Sequence, residues 1–338
     1  MAPFRAKRKR RSVRGFAVRR RCQRAPACAD GRRALRRCEP GSRIVGGRPG
    51  PSAGDHPGSV LSVDEWVLRE RFATDAGDIA WDRLGKGPPV VLVHGTPWSS
   101  WTWRRVARRL AERFSVYVFD LLGFGASDQR LGQDVSLAGH GARLAALLEH
   151  WQLDRPALIA HDIGGATALR AHLLHHRSVS ALALVDVVAL APWGSPFYRL
   201  VHDHEGVFEQ LPAPIHEGVL RAYVGTAQPR HLDPDVEARL IAPWLGGTGQ
   251  SAFYRQIAAG TQRDTDEIEP LLDEISAPTL VVWGEADPWL PAPVGAELAK
   301  RIPGARLALL PGAGHLVQED EPDELTRLLG GHLDSVFT

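Results

Sequence analysis

The stretch that most constrains this chain is Ala157–Ala166, A-L-I-A-H-D-I-G-G-A. Ala157–Ala160 is a short apolar run of the length and composition of a buried parallel strand. It meets His161-Asp162-Ile163, then Gly164 and Gly165, and passes into Ala166–His176, a helix-forming run. A strand, a tight turn flanked by small residues and a helix lift one side chain clear of a sheet and aim a helix N-terminus at it. The residue at the tip is Asp162, where serine is the common nucleophile.

The rest of the chain supplies a sheet for that turn. Trp66–Ala73 and Asp78–Asp82 alternate around Asp75-Ala76-Gly77, which predicts a hairpin. Pro89–Val93 and Ser115–Phe119 read as buried strands, with a helix from a Ser99 cap to about Arg113 between them. Leu137–Trp151 is amphipathic and helical, and Ala181–Val187 is a further strand. Strands and helices in alternation predict a mostly parallel α/β sheet. From Ala189 to Ser276 the pattern is helical and broken by prolines, an excursion that reads as a cap. The sheet resumes at Pro278–Trp283, followed by a helix near Val294–Arg301, a strand at Ala305–Leu310 and a last helix from about Glu321 to Leu333. The expected organisation is therefore a tail over 1–60, a core over 61–188 and 277–338, and a cap over 189–276.

Charge separates the tail from the body. Residues 1–50 hold 17 of the 41 Lys and Arg but only Asp30 and Glu39 of the 39 acids, leaving the other 288 residues at a net −13. An acidic body argues against nucleic acid or an anionic membrane as its partner. The tail's composition predicts disorder. A targeting or nucleic-acid-binding role is one reading of it. The preferred one is upstream sequence ahead of a true start at a valine such as Val60 or Val63. Cys22, Cys28 and Cys38 all lie there in no zinc-like spacing, so the body needs no disulfide and suits a reducing cytoplasm. No run of 18 apolar residues is present to span a membrane.

Three loops fall at the carboxyl ends of predicted strands, where open α/β sheets place their sites. The first is His94-Gly95-Thr96-Pro97, whose Thr96 N–H can pair with the Ile163 N–H to hold an oxyanion. Asp162 is the second. The third joins Gly284-Glu285-Ala286-Asp287 and Gly312-Ala313-Gly314-His315. The order nucleophile, acid, histidine and these motifs resemble the α/β-hydrolase family over about residues 65–335, most closely its aspartate-nucleophile branch of epoxide hydrolases, haloalkane dehalogenases and fluoroacetate dehalogenases. The resemblance implies a cofactor-free hydrolase with Asp162, Asp287 and His315 as catalytic residues and no metal. A small, apolar substrate is implied, as is a monomer or homodimer.

Chemistry narrows the reaction. A carboxylate attacking an sp³ carbon forms an alkyl ester that water can hydrolyse, with His315 oriented by Asp287 as base. The leaving group is then an epoxide oxygen or a halide. Epoxide hydrolases use two cap tyrosines as acids. Tyr254, 61 residues before His315, stands where the second belongs; the first has no clear match, with Tyr198 and Tyr223 as candidates and Tyr198 nearer the start of the cap, where the family's residue lies. Both branches commonly carry Trp after the nucleophile, where this chain has Ile163; after His-Gly many dehalogenases carry Asn and the epoxide branch usually Phe, where this chain has Thr96. Trp98, Trp101 and Trp193 are the candidate substitutes for the halide ligands. Asp186 is an alternative acid, though a polar strand-end residue is the preferred reading. His94 and His161 are expected to pack beneath the loops, and His202, His204 and Glu205 to form a solvated face. An epoxide hydrolase leads, a haloalkane or haloacid dehalogenase follows, and a non-catalytic receptor or scaffold is the reading from another class.

Overall fold

The structure, a computed structural model, describes residues 66–337. The basic tail, its cysteines and the proposed valine starts lie outside them. Eight strands form one sheet: β1 (Glu70–Thr74), β2 (Gly77–Leu84), β3 (Pro89–Val93), β4 (Ser115–Phe119), β5 (Ala157–Asp162), β6 (Ala181–Val187), β7 (Thr279–Gly284) and β8 (Arg306–Leu310). Their spatial order is β1-β2-β4-β3-β5-β6-β7-β8. The β1/β2 and β2/β4 pairs are antiparallel and the others parallel. The chain runs outward from β3 to β4, then returns to lay β5 on the other side of β3. Such a reversal opens a crevice at the carboxyl ends of β3 and β5, and open α/β sheets bind ligands in that crevice.

The core helices are α1 (Arg104–Leu110), α2 (Leu137–His150) and α3 (Ile163–Leu173), with α9 (Ala292–Arg301), α10 (Val317–Asp320) and α11 (Pro322–Phe337) after the insertion. Alternation along β3 explains why both faces need covering. Val91 and Val93 pack with Leu144, Leu148 and Leu169 of α2 and α3. Val90 and Leu92 pack on the other face with Val106, Leu110, Leu325 and Leu329 of α1 and α11. A strand buried on both faces reads as a continuous apolar run, which is how Pro89–Val93 appears.

Two boundaries differ from expectation for physical reasons. The helix after Ser99 begins as a 3₁₀ turn over Ser100–Trp103, with the Ser99 hydroxyl accepting from the Trp101 N–H, and becomes α-helical at Arg104. The helix after β5 starts at Ile163 rather than Ala166, because Gly164 and Gly165 are its first turn. A side chain at Gly164 would stand 2.6 Å from the His94 carbonyl oxygen, and one at Gly165 would stand 2.3 Å from Val187. These glycines let the helix lie against β3 and β6, an advantage that helix propensity ignores.

Between β6 and β7 the chain carries helices and no strand: α4 (Pro196–Phe208), α5 (Ala213–Gly225), α6 (Pro234–Ile241), α7 (Gly246–Ala259) and the short α8 (Arg263–Asp266). No helix among the described residues is long and apolar enough to cross a membrane.

Candidate active site

The turn after β5 is strained as its sequence suggests. Asp162 adopts φ 52° and ψ −126°, and β5 slips register against β6 between His161 and Asp162. Left-handed backbone is unfavourable for a non-glycine residue and persists where the surroundings impose it. Here the strain turns a buried carboxylate toward two other loops. Asp162 Oδ1 accepts hydrogen bonds from the Thr96 N–H (3.1 Å) and from the Ile163 N–H. Asp162 Oδ2 lies 3.1 Å from His315 Nε2, and His315 Nδ1 donates to Asp287 Oδ2 at 2.8 Å. Asp287 is fixed in turn, its Oδ1 accepting from the Trp289 and Leu290 N–H groups at 2.8 and 2.9 Å. Five of the residues singled out in the sequence thus meet at one point: Asp162, Ile163, Thr96, Asp287 and His315.

Electrostatics sets the protonation of this line. Burial disfavours the charged form of His315, but the Asp287 charge and hydrogen bonds to both carboxylates outweigh it, and its pKa stands well above the ordinary histidine value. Burial likewise opposes ionisation of Asp162, yet the His315 hydrogen bond and charge hold its carboxyl below the usual range. His161, one residue before the turn, donates from Nε2 to the His315 carbonyl at 2.8 Å. Burial first, and then the His315 charge, pushes its pKa down to about 3. It is a neutral support beneath the site, and His94, bonded to the Gly95 carbonyl and the Leu121 N–H, is another.

Asp186 sits close by. It is fully buried at φ 44° and accepts from the Gly284 N–H at 2.8 Å. Burial and the neighbouring Asp287 charge push its carboxyl well above the ordinary value. His315 Nδ1 turns to Asp287.

A small cavity opens over Asp162. Thr96, Asp162, Ile163 and Val188 form its floor, Trp289 and Leu290 one side, and Trp193, Gly194, Ser195, Tyr198 and Tyr223 the wall from the insertion. No Arg, Lys or His lines it. The Tyr223 ring stacks on Trp289 at 4.6 Å, and Trp289 lies 4.9 Å from the His315 ring. Burial, then the Asp162 charge, pushes both phenols above their ordinary pKa, so Tyr198 and Tyr223 are neutral O–H groups.

Tyr254 corrects the sequence expectation. It is fully buried but lies outside the cavity lining. His216 Nε2 donates to the Trp244 carbonyl at 2.9 Å, which leaves Nδ1 to accept the Tyr254 O–H at 2.8 Å. The phenol proton is committed inside the insertion. Trp98 is also absent from the lining, buried behind Trp289 with its ring stacked 5.8 Å away. Trp101 packs under the Arg104 guanidinium at 3.5 Å. Trp193 does line the cavity, yet its indole N–H donates to the Thr265 hydroxyl at 2.9 Å, as that of Trp289 does to Thr226 at 3.0 Å. Tyr223 was a secondary candidate in the sequence; its three-residue offset from Leu220, also buried on α5, marks the inward face. His202 and His204 are exposed on α4, and no group of three His, Cys, Asp or Glu fit to hold a metal occurs among the described residues.

The model of the α/β hydrolase fold matches residues 88–322, which span both halves of the sheet, the strained turn and His315. The chain belongs to the α/β-hydrolase fold family. An α/β-hydrolase fold protein from Burkholderia ambifaria is 47% identical, with a TM-score of 0.76 over 78% of this chain and 97% of its own. A fluoroacetate dehalogenase from Burkholderia sp is 29% identical over 77% of this chain and 92% of the relative. Haloalkane dehalogenase 2 of Mycobacterium tuberculosis is 26% identical over 75% and 91%. With relatives of these names in the family, the chain is a hydrolase.

Proposed function

We propose that this α/β hydrolase opens small, neutral epoxides through an alkyl ester on Asp162. The observation that carries the reading is the wall facing the nucleophile: two neutral phenols, Tyr198 and Tyr223, line the cavity, while the indole N–H groups of Trp193 and Trp289 are spent on threonine hydroxyls. An epoxide oxygen leaves as a strongly basic alkoxide and needs a proton, whereas a halide needs only hydrogen-bond donors. The lack of any cation in the lining favours a neutral substrate over a haloacid.

In the first step Asp162 Oδ2 attacks the epoxide carbon, the C–O bond of the ring breaks, and a phenol O–H protonates the departing oxygen. Esterification erases the Asp162 charge that helps to hold His315 protonated, so once the ester exists the imidazolium releases its proton more readily, and that proton restores the phenol that gave one up in the first step. In the second step neutral His315, steadied by Asp287, takes a proton from water. The water oxygen attacks Asp162 Cγ and the negative charge collects on Oδ1 between the Thr96 and Ile163 N–H groups. As the Cγ–Oδ2 bond breaks, the departing oxygen takes the remaining proton of the attacking water, releasing the diol and leaving Asp162 a carboxylate beside protonated His315.

A haloalkane dehalogenase is the second reading, favoured by the 26% and 29% identical dehalogenase relatives. Reaction of His315→Gln with 1,2-epoxybutane separates them. The variant retains the nucleophile but lacks the base, so intact-mass analysis is expected to show one adduct per chain, on Asp162, while the wild type releases butane-1,2-diol. No adduct and no diol, together with bromide release from 1-bromobutane by the wild type, refutes the epoxide reading.

A further inference from the structure

Two buried tethers run from helix α7 to the loop that carries the Thr96 N–H. The first is direct: the Thr96 hydroxyl donates to Gln256 Oε1 at 2.6 Å, across 160 residues of sequence. The second is a relay. The Tyr254 O–H donates to His216 Nδ1 (2.8 Å), His216 Nε2 to the Trp244 carbonyl (2.9 Å), and Trp244 Nε1 to the Pro97 carbonyl (2.7 Å). Tyr254, Gln256, His216 and Trp244 are all buried. Both tethers end on consecutive residues, Thr96 and Pro97, and of their members only Thr96 lines the cavity. Burial keeps water from competing for these bonds.

We propose that Gln256 and Trp244 are positioning residues for the hydrolysis step: α7 clamps the Thr96-Pro97 loop so that the Thr96 N–H stays aimed at Asp162 Oδ1. The inference rests on the ester mechanism proposed above, and the mechanism makes the clamp specific to one step. During alkylation Oδ1 changes from half of a carboxylate to a carbonyl oxygen and loses negative charge. Donors on Oδ1 therefore give ester formation no assistance. During hydrolysis Oδ1 gains a full negative charge in the tetrahedral intermediate, and a well-aimed N–H lowers that barrier. Tyr254, which by sequence position looked like an acid for the leaving group, belongs to the clamp instead.

Gln256→Leu, Trp244→Phe and Tyr254→Phe test this. The first variant removes the direct tether, and the other two cut the relay while keeping an aromatic ring in place. Rapid-quench intact-mass analysis with 1,2-epoxybutane follows ester formation and decay separately. Misplacing a hole donor by about 1 Å costs on the order of 10²-fold, so Gln256→Leu and Trp244→Phe are expected to slow ester decay by roughly 10- to 100-fold. Ester formation should stay within about threefold, and the ester should accumulate. Tyr254→Phe, two bonds further from the loop, follows with a smaller effect in the same direction. A second measurement needs no substrate: backbone amide exchange across residues 94–98 should quicken in Gln256→Leu and Trp244→Phe. Slowed ester formation with unchanged decay, equal loss in both steps, or unchanged exchange in both variants overturns the clamp. An ester that fails to form even in His315→Gln refutes the mechanism beneath it, while an ester that forms there and decays at wild-type rate in the clamp variants refutes the clamp alone.

Discussion

Replacing Gly260 by alanine should disable Tyr198 without touching it. Gly260 follows α7 at φ −79° and ψ 131°, a conformation any residue adopts, so the backbone raises no objection. Space does. A Cβ there stands 2.2 Å from the Tyr198 hydroxyl oxygen, against the 3.4 Å at which ordinary contact begins, so the phenol must retreat by about 1.2 Å. A hydrogen bond of about 2.7 Å to a departing oxygen becomes one of almost 4 Å, which is no bond. Ester formation should fall by roughly 10²-fold, approaching the rate of Tyr198→Phe. Forcing a methyl into a packed wall costs ~1–3 kcal/mol, partly offset by the ~0.4–1 kcal/mol that alanine gives by restricting the unfolded chain. The double variant isolates the cause. Phenylalanine at 198 removes the colliding oxygen, and its Cζ lies 3.4 Å from the new Cβ, ordinary contact. In that background only the 3.2 Å approach to the Trp193 ring stays tight, so Gly260→Ala should cost much less urea stability than in the wild type and add nothing to the kinetic loss. If Gly260→Ala forms ester at wild-type speed, Tyr198 is not the acid. If it destabilises the Tyr198→Phe protein as much as the wild type, the collision is elsewhere.

Two further predictions concern buried ionisable groups. His140 packs on Phe124 with ring centroids 5.8 Å apart, and burial pushes its pKa from 6.5 down to about 3. The native state therefore refuses a proton that the unfolded chain accepts, and stability falls by about 1.4 kcal/mol per pH unit from pH 6.5 toward 3. His140→Leu should flatten the urea-derived stability slope between pH 4 and 6 by one proton, and an unchanged slope contradicts the assignment. Asp186, held neutral by burial and the Asp287 charge, should tolerate Asn, which is neutral and suits its left-handed backbone. Asp186→Asn is expected to keep turnover within a few-fold, whereas Asp186→Ala strands the Gly284 N–H and costs ~1–3 kcal/mol. Loss of ester hydrolysis in Asp186→Asn, as deep as in Asp287→Asn, would make Asp186 the working acid.

What was legible in the sequence and what was not divide along a physical line. Residues at strand ends are fixed by local grammar: a short apolar run, a small-residue turn and a helix leave Asp162 only one place to stand, and the same holds for Thr96, Asp287 and His315. Strand-end loops in a parallel sheet converge because the strands are neighbours, so their meeting follows once the strand order does. The insertion obeys no such rule. Each helix there can be rotated about its axis at little cost to its own hydrogen bonds, and packing against the other helices decides which side chain faces the nucleophile. Counting residues back from His315 put Tyr254 opposite Asp162. In the fold, the α7 face carrying Tyr254 meets His216 of α5, and the inward phenols come from Tyr198 of α4 and Tyr223 of α5. Two neighbouring facts were present in the sequence without a signal to connect them: a histidine at 216 and a tryptophan at 244. Only the fold shows that they carry the Tyr254 hydrogen bond to Pro97. The same chain of contacts that keeps Tyr254 out of the cavity lining commits its hydroxyl to His216, a partner that no residue count back from His315 reveals. In this α/β hydrolase Tyr254 and Gln256 of α7 bond to His216 and to Thr96, while the phenols that line the cavity come from α4 and α5.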